Sequence, residues 1–156
     1  MKNIKLIVVL VVSLSLTSCG FKKISQRYGE PINFKNIIVT GERKISYILK
    51  NNILLISDST SANKYDAKIK LEKEKNFKIK SETGKITRYN LSITADLVLT
   101  NLKSKKKNQK LFKSNVDYSV ASNHSETINN EKNAIKSAIQ QLSNDIIIFI
   151  GFVVKK

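Results

Sequence analysis

The chain has 156 residues and a formal net charge of +16, from 28 lysines and arginines against 12 acidic residues. One cysteine and one histidine exclude an internal disulfide framework and a zinc site of the usual His and Cys type, and the single proline excludes a proline-rich linker. Part of the charge reflects composition: arginine occurs only at Arg27, Arg43 and Arg88, while Lys, Ile and Asn, all favoured by A/T-rich codons, number 25, 21 and 16 of the 156 residues.

Residues 1–18 read as an export signal. Lys2 and Lys5 form a basic head, Leu6 to Leu16 is apolar apart from Ser13 and Ser15, and small residues precede Cys19. The apolar run is too short for a transmembrane helix, which needs ~20 residues. Leu16-Thr17-Ser18-Cys19-Gly20 is a lipobox, so Cys19 is expected to receive a diacylglycerol and become the mature N-terminus. Gly20 stands where an aspartate commonly marks inner-membrane retention, so the expected destination is the outer membrane. Losing Lys2 and Lys5 lowers the charge from +16 to +14, which still draws the protein to polyanions. Export removes nucleic acid as a partner and leaves phosphate-bearing lipid.

Residues 19–31 read as a lipid-anchored tether, polar and bounded by Gly29 and Pro31. Residues 32–156 are long enough for one domain. Ile32 to Val39 predicts a short strand, broken at Thr40-Gly41, with Thr40 as a candidate helix cap. Ile45, Ile48, Leu49, Ile53 and Ile56 recur with helical spacing, and Leu54 and Leu55 are expected to widen that face.

Tyr65, Ala67, Ile69 and Leu71 then alternate with polar residues, and the same parity resumes at Phe77 and Ile79. The charged residues at 73 and 75 predict a bulge or a frayed end between them. Ser81-Glu82-Thr83-Gly84 is a turn. The return strand places Tyr89, Leu91, Ile93, Ala95, Leu97 and Leu99 on one face, and Arg88, Asn90, Ser92, Thr94 and Asp96 on the other.

A polar loop is expected from Asn101 to Lys110, followed by a strand turning Phe112, Val116, Tyr118 and Val120 inward. A long helix ends the chain, with Ile128, Ile135, Ala138, Ile139, Leu142, Ile146, Phe149 and Ile150 on one face and Ser125 or Thr127 as its cap. The apolar stretch Ile146 to Val154 would reach only about 14 Å as helix, so it is read as a buried end rather than a membrane span. The expected fold is α+β: two helices on one face of a four-stranded, mainly antiparallel sheet in the order β-α-β-β-β-α.

No catalytic set stands out. His124 is the only histidine and sits in a turn; Glu72 and Glu74 are isolated surface acids; no nucleophile elbow, P-loop or dinucleotide fingerprint occurs. The sequence therefore predicts a non-enzymatic protein without cofactor or metal.

Cys19-Gly20-Phe21 with Tyr28-Gly29, the turn Gly84-Lys85-Ile86-Thr87-Arg88, the strand Tyr118-Ser119-Val120 and the Ala/Ile-rich final helix resemble the LPS-assembly lipoprotein family (LptE) of alphaproteobacteria. The likeness covers the mature chain in element order. The family often continues from Cys-Gly-Phe directly into Pro-Leu-Tyr-Gly, whereas Lys22 to Arg27 intervene here. The resemblance implies an outer-membrane lipoprotein, lipid-anchored on the periplasmic side or within the barrel lumen. Its partners would be the β-barrel LPS-assembly protein, which it plugs and supports, and lipopolysaccharide, which it binds during delivery. Candidate contacts to lipid A phosphates are Lys80, Lys85 and Arg88 around the first turn, and Lys103, Lys105, Lys106 and Lys107 in the second loop. Arg88 leads them, because a guanidinium forks onto phosphate. Two other roles fit the same features: an auxiliary lipoprotein, or adaptor, of a periplasm-spanning lipid transporter, and a lipoprotein that binds anionic polymers by charge alone.

Overall fold

A computed structural model describes residues 30–155; the export segment, Cys19 and the tether through residue 29 lie outside the described residues. The elements are β1 (Asn33–Thr40), α1 (Arg43–Leu54), β2 (Lys64–Lys80), β3 (Ile86–Asn101), β4 (Lys107–Ser119) and α2 (His124–Val154). The strands form one sheet in the order β1-β2-β3-β4, with β1 parallel to β2 and the other pairs antiparallel. This is the expected α+β fold.

A parallel pair requires a crossover, and α1 supplies it between β1 and β2. The chain leaves β1 through Gly41, whose φ of +131° is costly for any residue with a side chain. A Cβ there would also lie 2.7 Å from the Leu71 carbonyl oxygen, so glycine is required twice over. Thr40 does not cap the helix: it closes β1, and its Oγ1 donates to the Ile69 carbonyl at 3.4 Å. Glu42 holds the cap position without a side-chain hydrogen bond to the backbone. Ile45, Leu49 and Ile53 turn into the core as their spacing predicts. Leu54 and Leu55 do not widen that face; they are 42% and 65% exposed. The helix stops at Leu54, and only Ile56 of the residues that follow returns inward.

Strict alternation fixes the inward face of the sheet. Tyr65, Ala67, Ile69 and Leu71 of β2 are buried, as are Leu91, Ile93, Ala95, Leu97 and Leu99 of β3. They meet Ala138, Ile139, Leu142, Ile146 and Ile150 of α2 and the apolar stripe of α1 in one cluster. Each such aliphatic side chain contributes ~1.5–3 kcal/mol relative to an exposed one. Asn52 Nδ2 donates to Ser143 Oγ at 2.9 Å and ties the helices together over this core.

β2 differs from expectation beyond Leu71. It runs unbroken past Lys73 and Lys75, and the register irregularity falls later, between Phe77 and Lys80. Phe77 keeps the inward parity yet is 62% exposed; Ile79, 45% exposed, lies past the irregularity and pairs with Arg88. β1 ends at Thr40, opposite Lys70, so α1 also begins there and covers only the half of β2 before it. Past Leu71 β2 is a sheet edge, and its inward Lys73 and Lys75 pair with Glu42 and with Glu131 of α2.

The loop after β3 is also shorter than expected. The chain turns through Leu102 to Lys106, with Lys105 at φ 59°, and Lys107 already belongs to β4, paired with Thr100. On β4, Phe112, Ser114 and Tyr118 are buried and Val116 partly so, while Val120 lies just past the strand end. Asn123, rather than Ser125 or Thr127, caps α2; its side chain accepts from the Glu126 amide at 2.7 Å. Thr127 Oγ1 instead accepts from the Ala121 amide at 3.0 Å. Ile128, expected inside, is 39% exposed. By length and composition α2 could cross a membrane, but half of its most apolar window is buried in the domain, as in a core helix.

Candidate functional site

The seven basic candidates fall into two groups at opposite ends of the sheet. Lys80, Lys85 and Arg88 surround the β2–β3 turn; Lys103, Lys105, Lys106 and Lys107 surround the β3–β4 turn. β3 runs from one end to the other, and from Ile86 to Asn101 it spans roughly 50 Å at ~3.3 Å per residue. A single lipid headgroup cannot bridge them.

At the first end, Ser81 donates its amide to the Lys85 carbonyl at 2.8 Å, and Gly84, at φ +79°, donates to Ser81 at 2.9 Å. The tight turn leaves Lys80, Lys85 and Arg88 exposed. Arg88 lies on the helix-free face, opposite Ser119 of β4. Lys78, beside it, pairs with Asp117. Asp117 also accepts from Asn90 Nδ2 at 2.7 Å. The Asn90 hydrogen bond first, and then Lys78, hold its carboxyl below the ordinary value near 3.8. That pair consumes the charge of Lys78 and leaves the remaining basic side chains as the surplus.

The same tip carries apolar surface. Phe77 is exposed on its other face, Ile79 is exposed opposite Arg88, and Lys80 Nζ stands 4.6 Å above the Phe77 ring. The sequence reading missed Lys78, Phe77 and Ile79 as tip residues, because it counted the last two among the buried parity. Lys73 and Lys75, which interrupt that parity, were the available sign that the buried face ends before Phe77.

A polar network supports the tip from beneath. Lys75 Nζ donates to Glu131 Oε2 of α2 at 2.7 Å, and Tyr118 OH donates to the same oxygen at 3.0 Å. Lys75 also lies 4.5 Å over the Tyr89 ring, which stacks on Tyr118 at 5.5 Å. Burial works against the charged form of Lys75, but the hydrogen bonds with Glu131 and Tyr118 outweigh it and raise its pKa above 10.5. The Lys75 hydrogen bond lowers Glu131 below 4.5, and burial leads in raising Tyr118 above 10.0.

At the second end, Asn101 Oδ1 accepts from the amides of Lys103 and Ser104, both at 2.9 Å, an Asx turn that fixes the loop. Its four lysines are exposed. Beside it lies a recess of about 310 Å³ between the loop and the end of α2, with Tyr65, Lys106, Phe149 and Phe152 in its wall. Among the described residues no group of three or more His, Cys, Asp or Glu side chains could hold a metal ion.

Solved structures of two lipoproteins share this architecture. A Caulobacter crescentus CB15 chain described as a lipoprotein is 15% identical, with a TM-score of 0.57 over 80% of this chain and 90% of its own. A lipoprotein B from Nitrosomonas europaea is 14% identical, with a TM-score of 0.58 over 85% of this chain and 90% of its own. At these identities the likeness concerns the fold. No curated protein matches the sequence. The model of the LptE lipopolysaccharide-assembly family matches residues 33–150, from the first strand to the last turns of α2. The chain belongs to the LptE lipopolysaccharide-assembly family.

Proposed function

We propose that, within the role in lipopolysaccharide assembly that family membership supports, the protein is a non-enzymatic outer-membrane lipoprotein, anchored through Cys19, that fills and supports a β-barrel translocon and offers its β2–β3 tip to lipopolysaccharide. The observation that carries this reading is the amphipathic tip, where exposed Phe77 and Ile79 adjoin Lys80, Lys85 and Arg88. Lipid A joins acyl chains to phosphates within one headgroup, and the tip joins apolar surface to cations over the same short range. Arg88 is the leading phosphate contact, since its fork forms paired charge-assisted hydrogen bonds.

The shape supports the barrel reading. Four strands at ~4.8 Å spacing make a narrow sheet, roughly 50 Å long, that a wide barrel can surround. The helix-free face carries Lys68, Lys70, Glu72, Thr94 and Lys113 in neighbouring register positions. Such a surface suits the polar lumen of a large barrel and would be costly against lipid.

Affinity purification of the lipidated protein from native outer membrane tests the partner. A large β-barrel protein recovered in stoichiometric amount is expected. An inner-membrane transporter complex in its place would make the protein an adaptor. Lipopolysaccharide capture in vitro tests the site: Arg88→Asp with Lys85→Asp should weaken it while the fold survives, and unchanged capture removes the tip from the role.

A further inference from the structure

The open edge of the sheet at β1 gathers three observations that point to one kind of ligand. The first is backbone. β1 is an edge strand, and only its start is covered, where Ile32 bridges Ser57. From Asn36 to Thr40, among the described residues, no strand pairs with its outer side. That leaves roughly 16 Å of strand edge, at ~3.3 Å per residue. The second is a recess of about 450 Å³ between this edge and α1. Arg43, Ser46, Tyr47 and Lys50 recur at helical spacing, so one face of α1 walls it, with Ile38 and Val39 on the β1 side. Ser46 is 8% exposed and its Oγ has no hydrogen-bond partner. A buried hydroxyl in that state has lost water without a replacement. The third is charge. Arg43, Lys44 and Lys50 are exposed, and among the described residues none of them has an ion pair. Glu42, the acid beside them in sequence, is held by Lys73.

Resting on the barrel reading, we infer that this edge takes an extended, acidic segment of the barrel chain as an added strand of the sheet. The open edge selects an extended backbone, since a strand satisfies a row of amides and carbonyls. Alternation then sorts the segment's side chains between the two faces. On the inward face they meet α1, where a carboxylate can take Arg43 and Lys50 and accept from Ser46 Oγ. On the helix-free face they lie beside Ile38, 50% exposed, which favours an apolar residue. The pattern recognised is therefore acidic and apolar residues in alternation. A barrel wall surrounds the sheet in this reading, so the barrel's own chain is the polypeptide that the edge meets. The edge ends at Thr40, opposite Lys70 and short of the tip, so Lys85 and Arg88 stay open to cargo.

Binding of a fluorescein-labelled peptide of alternating Glu and Val to the lipidated full-length protein in detergent, read by anisotropy, tests the chemistry. Arg43→Glu with Lys50→Glu should weaken binding about tenfold or more. Lys103→Glu with Lys106→Glu, an equal change in net charge at the β3–β4 loop, should weaken it by no more than about twofold. Ser46→Ala should weaken it about threefold while the unfolding midpoint stays or rises, since the hydroxyl has no partner in the free protein. A peptide of alternating Lys and Val that binds as well, or equal weakening by the two charge-reversed pairs, overturns the edge site. A photo-crosslinking residue at Tyr47 of the lipidated protein in growing cells tests the partner. Crosslinks to an acidic, extended segment of the barrel chain are expected. A barrel chain that co-purifies yet is never crosslinked from position 47 overturns the added strand and leaves the barrel reading standing. Recovery of no barrel chain overturns both.

Discussion

The hairpin of β2 and β3 keeps one alternation as far as Phe77 but lives in two environments. Near the chain start, Leu97 and Leu99 have no exposed surface; near the turn, Phe77, on the same face, is 62% exposed. The difference lies in the neighbours. β1 and α1 cover β2 only up to Thr40 and Lys70, and beyond them Lys73 and Lys75 take the inward positions and bind Glu42 and Glu131. Alternation determines which side of a strand a residue faces; burial depends on what arrives above it.

Core truncation separates the two halves most sharply. Leu97→Ala should cost about 2–5 kcal/mol in urea unfolding, whereas Ile79→Ala should stay within about 0.5 kcal/mol. Comparable losses would mean that the tip is packed as tightly as the core. Glycine substitutions repeat the contrast on a smaller scale. Gly41→Ala meets both positive φ and the Leu71 carbonyl and should cost about 1–3 kcal/mol. Gly84→Ala, with nothing within 4 Å of its added Cβ, should cost about 1 kcal/mol from the backbone alone.

The junction between the halves should show in the pH dependence. Glu131 and Asp117 are held below 4.5 and 3.8, so unfolding takes up protons in acid. Their contribution is complete above those ordinary values and is lost as pH falls through the lower folded ones. Lys75 and Tyr118 are raised above 10.5 and 10.0, so their contribution is complete below those values and lost as pH rises through the folded ones. Glu131→Gln should cost about 1 kcal/mol near neutral pH and flatten the acid limb of a stability profile. An unchanged acid limb would remove Glu131 as its source. The smallest effect is expected from Phe77→Ser with Ile79→Ser, which should leave unfolding nearly unchanged while reducing lipopolysaccharide capture.

The element order and the core were legible because period is a local property. The residues predicted inward on β3 are inward, and Ile45, Leu49 and Ile53 of α1 are buried, with Ile48 packed partly against them and Ile56 buried just past the helix. Caps were not legible: several polar residues precede each helix, and the geometry chose Asn123 and Glu42. The basic site was half legible. Arg88 and its neighbours could be picked from the turn, but the separation of the two lysine groups follows from the 16-residue length of β3 between the two turns. Phe77 and Ile79 stayed hidden because parity alone cannot report where the helix layer ends.

The central claim is that the β2–β3 tip, and not the other basic end, receives lipopolysaccharide. A photo-crosslinking residue placed at Ile79 and, separately, at Ser104 in the lipidated protein of growing cells tests it directly. Crosslinks to lipopolysaccharide at position 79, lost when Arg88 and Lys85 become Asp, and none at position 104 are the expected result. Crosslinks at position 104 with none at 79 would contradict the account and move cargo binding to the opposite end of the sheet.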